Sequence, residues 1–155
     1  MSLELDVPFE TKEGYQYIVS FREFPSNQNN YKIPLIDISI TLFSLSIETN
    51  SLKTLNKFIN IVLEYLELND VIIYYYCDTA SIKIRQNRTH KFSNQEFRFN
   101  LFQLMFNKMK SDAFYLQNII ITDKEKGNHY TSLISRISNK EKVEFVKLDL
   151  EKFNK

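Results

Sequence analysis

The chain opens with two short segments in which apolar and polar positions alternate, the period of a strand with one buried face. Val7–Thr11 and Tyr15–Phe24 flank Lys12-Glu13-Gly14, and Gly14 can adopt the positive φ that a short hairpin loop requires. In the second segment the apolar side chains that share one face are Tyr15, Tyr17, Val19 and Phe21. The pattern predicts a β-hairpin across residues 7–24.

Residues 35–48 alternate too, but the parity of their apolar positions changes. From Ile36 to Leu42 these positions are even-numbered, and from Phe43 onward they are odd-numbered. A strand keeps the same face buried through such a change only if an extra residue is inserted. We therefore expect a β-bulge near Leu42-Phe43, with two separate short strands as the alternative.

A helix and a further strand follow. Residues 51–67 carry apolar side chains at the i, i+3, i+4, i+7 spacing of an amphipathic helix; they are Leu55, Phe58, Ile59, Val62, Tyr65 and Leu66. Val71–Cys77 is apolar or aromatic at every position. That composition predicts a central strand that is covered on both sides or packed beneath a helix.

The second predicted helix has the clearest start signal in the chain. Ser93-Asn94-Gln95-Glu96 forms a capping box, in which the Ser93 and Glu96 side chains bond each other's backbone amides. Phe92 and Phe97 form the matching hydrophobic staple. The helix should extend to about Lys110, and the residues expected to face the core are Phe97, Leu101, Leu104, Met105 and Phe106.

Residues 114–122 and 130–137 predict a second hairpin around a charged tip that contains Gly127. The pattern of residues 139–153 fits either a helix or a strand, and we favour a helix. The order β-β-β-α-β-α-β-β-(α) contains hairpins rather than repeated βαβ units. It predicts an α+β fold: a mostly antiparallel sheet of about five to six strands with two or three helices packed on one face.

Composition narrows the class of protein. The length of 155 residues predicts a single globular domain over residues 1–155, and hydrophobic residues make up 43% of it. The net charge of +1 argues against a partner recognised by charge over the whole surface. The chain starts without a signal peptide pattern, and no apolar run approaches the roughly 20 residues of a membrane span. We therefore expect a cytoplasmic protein with no membrane partner.

Several kinds of chemistry find no support in the composition. One cysteine and two histidines provide neither an intramolecular disulfide nor a usual zinc site. Gly14 and Gly127 are the two glycines and stand alone, whereas phosphate-cradling loops need several glycines in a fixed pattern. We therefore expect no cofactor, no metal site and no catalytic residue of a familiar type.

The strongest concentration of positive charge lies between the strand at Val71–Cys77 and the second helix. Its candidate anion- or partner-binding residues are Lys83, Arg85, Arg88, His90, Lys91 and Arg98. Arginine can bind a planar anion through two parallel hydrogen bonds, and the helix start that follows adds free amides. The alternative interpretation is a solvated loop with ordinary surface ion pairs.

Cys77 and Asp78 end the predicted central strand, and a nearby cation or His90 would favour a reactive thiolate. The alternative is that Cys77 is a small core residue and Asp78 begins a turn. Phe92, Phe97, Phe99, Phe102 and Phe106 flank the basic segment, and rings beside cations are used by single-stranded nucleic acid binders. Their positions also suit a core, which we favour.

The run Tyr75-Tyr76-Cys77-Asp78, the basic residues through Arg85 and Arg88 to Phe92, and the helix through Phe102 and Phe106 together resemble a known family. This is a bacterial domain-of-unknown-function family, found mainly in Bacteroidota, with a strand ending Tyr-x-Cys-Asp, then arginines, then a helix with Trp-Phe. Met105 stands where the family has the tryptophan. The resemblance implies a small single-domain protein and no assigned activity.

Three functional hypotheses follow. The first is a non-enzymatic protein-interaction module whose partner is another protein or a second copy of the chain. The second is an anion or RNA binder that uses the basic residues between 83 and 98, with affinity that falls steeply with salt. The third is a Cys77-dependent enzyme, which requires a base within hydrogen-bonding reach of an accessible thiol.

Overall fold

The first three strands form where alternation predicts them. The computed structural model describes residues 3–10, 16–24, 32–42, 52–77, 94–123 and 127–152. The first strands are β1 (Leu5–Glu10), β2 (Gln16–Glu23) and β3 (Leu35–Leu42), and each pairs antiparallel with the next. The predicted hairpin is therefore confirmed. The expected bulge or break at Leu42-Phe43 falls at the limit of the described residues, because Phe43 lies outside them.

The next two elements make the parallel step in the sheet. Helix α1 (Leu52–Leu68) connects β3 to β4 (Ile72–Cys77), and both elements occupy the predicted ranges to within a residue or two. Strands β3 and β4 pair in parallel, from Leu35 opposite Ile72 to Ile38 opposite Tyr75. A crossover helix of this length is the usual connection between parallel neighbours, since a tight turn can join only antiparallel ones.

The second half of the chain adds a helix, a hairpin and a final helix. Helix α2 (Asn94–Met109) precedes strands β5 (Phe114–Asp123) and β6 (Gly127–Arg136), which pair antiparallel. A single turn of 3-10 helix at Ile137–Asn139 leads into α3 (Lys140–Lys152). The second hairpin is confirmed, and so is the helix that we favoured for residues 139–153.

The six strands lie in the order β1-β2-β3-β4-β6-β5. Within the described residues the β3–β4 pairing is parallel and the other neighbours are antiparallel. The predicted α+β class and the mostly antiparallel sheet are confirmed. Strand β4 is central, which explains why its sequence lacks alternation: Ile73 and Tyr75 are buried on one face, and Ile72 is buried on the other.

Helices α1 and α2 cover one face of the sheet, which we call the two-helix face. Aromatic rings meet there: Phe58 of α1 and Phe102 of α2 have centroids 5.7 Å apart, and Tyr75 of β4 lies 4.7 Å from Phe102. Phe21 and Tyr65 stack at 3.9 Å. Such contacts bury large apolar surfaces and contribute most of the drive to fold.

Helix α3 packs on the opposite face, which we call the one-helix face. Val143 and Val146 of α3 are buried there against Ile72, Ile119 and Leu133 of the sheet. Two helices thus lie on one face, as expected, while the third covers part of the other. The cause is the apolar character of β4, β5 and β6 on both of their faces, since a single covered face leaves Ile119 and Leu133 in water.

Helix α2 buries Phe106 as expected, and Met105 packs partly covered against the same core, but Leu104 does not face the core. Phe99, Phe102 and Phe106 are buried, whereas Leu104 is 68% exposed. The prediction for Leu104 was wrong. Apolar residues occur all around this helix, so periodicity does not select the buried side. The aromatic rings are buried in preference to Leu104 because they are larger and remove more apolar area from water.

The carboxyl end of α1 is tied to the end of β6. The Arg136 guanidinium donates through Nε to the Leu66 carbonyl at 2.9 Å and through a terminal nitrogen to the Glu67 carbonyl at 3.2 Å. These carbonyls belong to the last turn of α1 and have no partner within the helix. Nearby, the buried Asn139 amide donates to the Asp70 carboxylate at 2.7 Å. Both links hold α1 against the β6–α3 junction.

Candidate functional site

The basic segment that the sequence singles out lies almost wholly outside the described residues. Lys83, Arg85, Arg88, His90 and Lys91 all fall there. Arg98 belongs to the first half of α2, and its side chain is outside what the structure describes. Anion or RNA binding by these residues therefore stays a prediction.

The same limit applies to the thiol hypothesis and to the capping box. Cys77 is the last residue of β4, opposite Tyr130 of β6, but its side chain is not described, and Asp78 and His90 lie outside the described residues. Helix α2 begins at Asn94, the position after the proposed cap Ser93. The start of the helix agrees with the capping box, whose bonds lie outside the described residues.

The one-helix face carries a polar strip beyond α3. It runs across β2, β3 and β4, and its residues are Ser20, Arg22, Asp37, Ser39, Tyr74 and Tyr76. Arg22 lies opposite Asp37 in the β2–β3 register, and Asp37 lies beside Tyr74 in the β3–β4 register. The Arg22 guanidinium nevertheless contacts the Asp6 carboxylate on β1, at 2.7 Å.

Two groups of the polar strip have shifted proton affinities. Partial desolvation raises the pKa of Asp37, although its side chain still reaches solvent. Tyr74 is half-buried, with its ring edge-on to Phe24 at 5.2 Å. Burial raises the pKa of Tyr74, and the nearby negative charge of Asp37 raises it further. The strip can therefore offer a carboxylate and a phenol to a polar ligand.

At the β4 end of this strip, the Tyr76 hydroxyl lies 2.6 Å from Nδ1 of His129. If the hydroxyl donates, Nδ1 accepts and the proton of the neutral ring sits on Nε2. Thr131 of β6 lies opposite Tyr76 and is completely buried, and a hydrogen bond with its side chain partly offsets the rise in the pKa of Tyr74. The sequence indicated no partner for His129, because the pairing arises only when β4 and β6 become neighbours.

A hollow of about 540 Å³ lies at the turn end of the β1–β2 hairpin. It is lined by Pro8, Phe9, Glu10, Gln16, Tyr17 and Ile18. Lys57 of α1 stands beside it, with Nζ 5.8 Å from the centre of the Phe9 ring and 3.0 Å from the Glu10 carbonyl. The hollow adjoins residues 11–15, which the structure does not describe.

The two outer strands of the sheet, β1 and β5, differ sharply. The Ile137 amide donates to the Ala113 carbonyl at 2.7 Å, one step beyond the pair Phe114–Arg136. Antiparallel ladder bonds fall on every second pair, so the odd-numbered residues of β5 bond β6. The even-numbered residues from Leu116 to Thr122 therefore direct their amide and carbonyl groups away from the sheet.

Among the described residues, the outward edge of β5 has none of the features that usually block strand pairing. Its register with β6 continues without a bulge from Phe114 to Asp123, and no proline or charged residue occurs from Phe114 to Thr122. Ile120, on the two-helix face, is 55% exposed. A long, uncharged outer strand of this kind is a template for pairing with another strand.

The edge of β1 is blocked. Ladder bonding to β2 places Asp6, Pro8 and Glu10 at outward positions, since the Phe24 amide donates to the Leu35 carbonyl and sets the alternation across β2 and β3. Pro8 has no amide to donate. The Glu10 carbonyl already accepts from Lys57. Carboxylates at both outward neighbours of Pro8 further disfavour a second strand there.

Across the described ranges, no group of three His, Cys, Asp or Glu side chains is arranged to hold a metal ion. None of the helices in the described part of the chain has the length and apolar character that a membrane crossing demands.

Comparison of the chain with models of protein families, with curated proteins and with solved structures finds no match in any of the three. The resemblance to the bacterial domain family therefore stays a prediction.

Proposed function

We propose that this chain is a non-enzymatic protein-interaction module whose contact surface is the open edge of β5. The observation that carries the proposal is the uncharged, unbroken outer strand from Phe114 to Thr122 with its outward backbone groups. In strand addition, a partner supplies the missing ladder bonds, and side-chain contacts beside the edge provide selectivity.

The contrast between the two edges supports this choice. Soluble proteins block exposed edges with proline, charge or bulges because free edges pair indiscriminately. Strand β1 has such protection in Pro8, Asp6 and Glu10, whereas β5 has none over nine residues. The blocked edge at β1 and the open edge at β5, on opposite sides of the sheet, support a role for pairing at β5. We place this interaction in the cytoplasm, where the single cysteine needs no partner.

The exposed apolar side chain at the edge is consistent with the same role. Ile120 is more than half exposed on an outer strand whose neighbours Leu116 and Ile121 are partly covered. A partner strand beside β5 would remove much of Ile120 from water, at roughly 25 cal/mol per Å² of apolar area buried.

Site-specific photo-crosslinking tests the proposal. A benzophenone amino acid replaces Ile120 in one variant and Leu104 in another, and both are irradiated in the protein's own host cells. Leu104 is the matched control, because it is a similarly exposed apolar residue, at 68%, on α2. We expect a covalent protein adduct from position 120 and little or none from position 104. Absence of an adduct at position 120, or equal yields at both positions, would contradict the proposal.

A further inference from the structure

We infer that the strand added to β5 is the β5 strand of a second copy of this chain, antiparallel, with the two-fold axis at Asn118. Two six-stranded sheets then join into one continuous sheet. The inference rests on the proposed use of the β5 edge and adds the identity of the partner. It follows from the charge, the register and the backbone bonding of that edge.

The uncharged sequence of β5 allows the strand to pair with its own copy. Around a two-fold axis each residue of β5 faces residues of the same strand, so a charged residue near the middle would bring like charges together. No such residue occurs between Phe114 and Thr122, and Asp123 stands at the end, far from the axis. The strand is therefore compatible with its own copy.

The position of the two-fold axis along β5 sets the register of the two paired strands. A two-fold axis at Asn118 aligns the nine residues from Phe114 to Thr122 and places Ile120 beside Leu116 of the other copy. The outermost pair lacks one ladder bond, because the Phe114 amide donates to the Ser111 carbonyl. Both side chains lie on the two-helix face, where Leu116 packs against the core. An axis at Ile119 would place Ile120 beside Asn118 instead. An axis at Ile120 would leave only residues 117–123 paired.

The backbone carbonyl of Asn118, at the proposed axis, can accept a second hydrogen bond. The Asn118 carbonyl accepts from the Gln117 side-chain amide at 3.0 Å, and the Tyr115 hydroxyl donates to the other end of that amide at 2.8 Å. A carbonyl oxygen has two lone pairs. It can therefore keep the Gln117 bond on one side and accept the Asn118 amide of the second copy on the other.

Disulfide trapping tests both the partner and the register. In a Cys77→Ser background, which removes the single native cysteine, Asn118→Cys and Ile120→Cys are compared under mild oxidation. With the axis at Asn118, the two Asn118 Cα atoms lie about 5.5 Å apart, as in a hydrogen-bonded antiparallel pair. This is within the range of about 4.4–6.8 Å that a disulfide spans. The two Ile120 Cα atoms lie about 14 Å apart, four residues along the strand.

We expect a disulfide-linked dimer from Asn118→Cys and none from Ile120→Cys. Asn118 also accepts a hydrogen bond from the Ser132 hydroxyl at 3.0 Å, so the Leu116→Cys/Ile120→Cys double variant provides a second trap that keeps Asn118. It should link residue 116 of each copy to residue 120 of the other. Circular dichroism verifies that each variant is folded.

Sedimentation velocity of the purified 18.5 kDa chain measures its dimerisation in solution. We expect a concentration-dependent dimer, and Ile120→Lys should raise its dissociation constant at least about tenfold, since apolar contact at the edge is lost and two lysines are added. Leu104→Lys adds the same charge on α2 and should leave the dimer unchanged.

The outcomes separate this inference from the proposed function. A monomer at all concentrations with no disulfide from either trap overturns the second copy as partner. A position-120 photo-adduct with a different protein would then still support the interaction module. A disulfide-linked dimer of the Ile120→Cys variant, with none from the Asn118→Cys variant, overturns the register with the axis at Asn118. Loss of every dimer signal and of the photo-adduct overturns both.

Discussion

Removing the Arg136 guanidinium should destabilise the protein, because this group is the partner of two helix-end carbonyls. Arg136→Met keeps most of the aliphatic stem but leaves the carbonyls of Leu66 and Glu67 without their donor. A hydrogen bond to a charged group contributes roughly 1.5–3 kcal/mol. The Glu67 contact lies at the solvent side, so its share is small. A cation at a helix carboxyl end adds about 0.3–1 kcal/mol.

We therefore expect Arg136→Met to lower the free energy of unfolding by about 2 kcal/mol. Urea unfolding measures it, followed by far-ultraviolet circular dichroism and by tyrosine fluorescence, since the chain contains no tryptophan. The free energy of unfolding of Arg136→Lys should lie between those of the wild type and Arg136→Met. An ammonium keeps the charge but cannot reach both carbonyls as a rigid fork.

Arg22→Met is the surface control; the Arg22 guanidinium also donates to a carbonyl, that of the preceding residue Phe21 at 2.8 Å, but this carbonyl belongs to a strand and not to a helix end. The Arg22–Asp6 ion pair is 2.7 Å long, but its side chains are 46% and 51% exposed. Solvent screening limits such pairs to about 0–1 kcal/mol. Equal losses for Arg22→Met and Arg136→Met would refute the argument. So would a loss below about 0.5 kcal/mol for Arg136→Met, the size of an ordinary surface substitution.

Three further predictions concern the core and the titrating groups. Phe102→Ala should lower the free energy of unfolding by about 3–5 kcal/mol in thermal or urea unfolding. Leu104→Ala on the exposed side of the same helix should cost under about 1 kcal/mol, and equal or reversed costs would contradict this orientation of α2. Burial raises the pKa of Tyr65 to about 12, above the ordinary value near 10, so its folded-state contribution is complete below pH 10 and is lost as the pH rises toward 12. Tyr65→Phe should make the fall in unfolding free energy over that interval shallower, and an unchanged slope would contradict this. The raised pKa of Asp37 makes its charged form the less favourable one in the fold, so Asp37→Asn should stabilise the protein at pH 7 relative to wild type and lose that advantage near pH 3; a destabilised variant at pH 7 would contradict it.

The sheet shows how far local pattern reaches. Alternation and turn residues predicted the hairpins at β1–β2 and β5–β6, and the apolar stripe predicted α1, because these signals depend on neighbours within a few residues. Helix α2 was placed correctly and Phe106 is buried as predicted, but Leu104 was wrongly expected in the core, since Leu104 and Phe102 are both apolar. Which of them is buried depends on the position of Phe58 and Tyr75 across the core.

The candidate site was predictable only in part. The basic residues between 83 and 98 stand out in the sequence because charge density is a local property, and their role stays a prediction. The β5 edge does not stand out, since Phe114–Thr122 reads like any half-buried strand. It becomes an outer edge of the sheet only because β6, not β5, lies beside β4.

The sequence by itself determined the class of this protein: strand and helix periods, hairpin turns and composition specify an α+β domain with a mostly antiparallel sheet. Tertiary structure alone decided which strands are outermost, which helix covers which face, and that Tyr76 meets His129 and Arg136 meets the end of α1. The physical reason is distance along the chain. Hydrophobic periodicity and turn residues act between near neighbours in the chain. Strand order and cross-sheet contacts instead join distant residues such as Tyr76 and His129, which are 53 positions apart. These contacts arise only when the whole core is buried together.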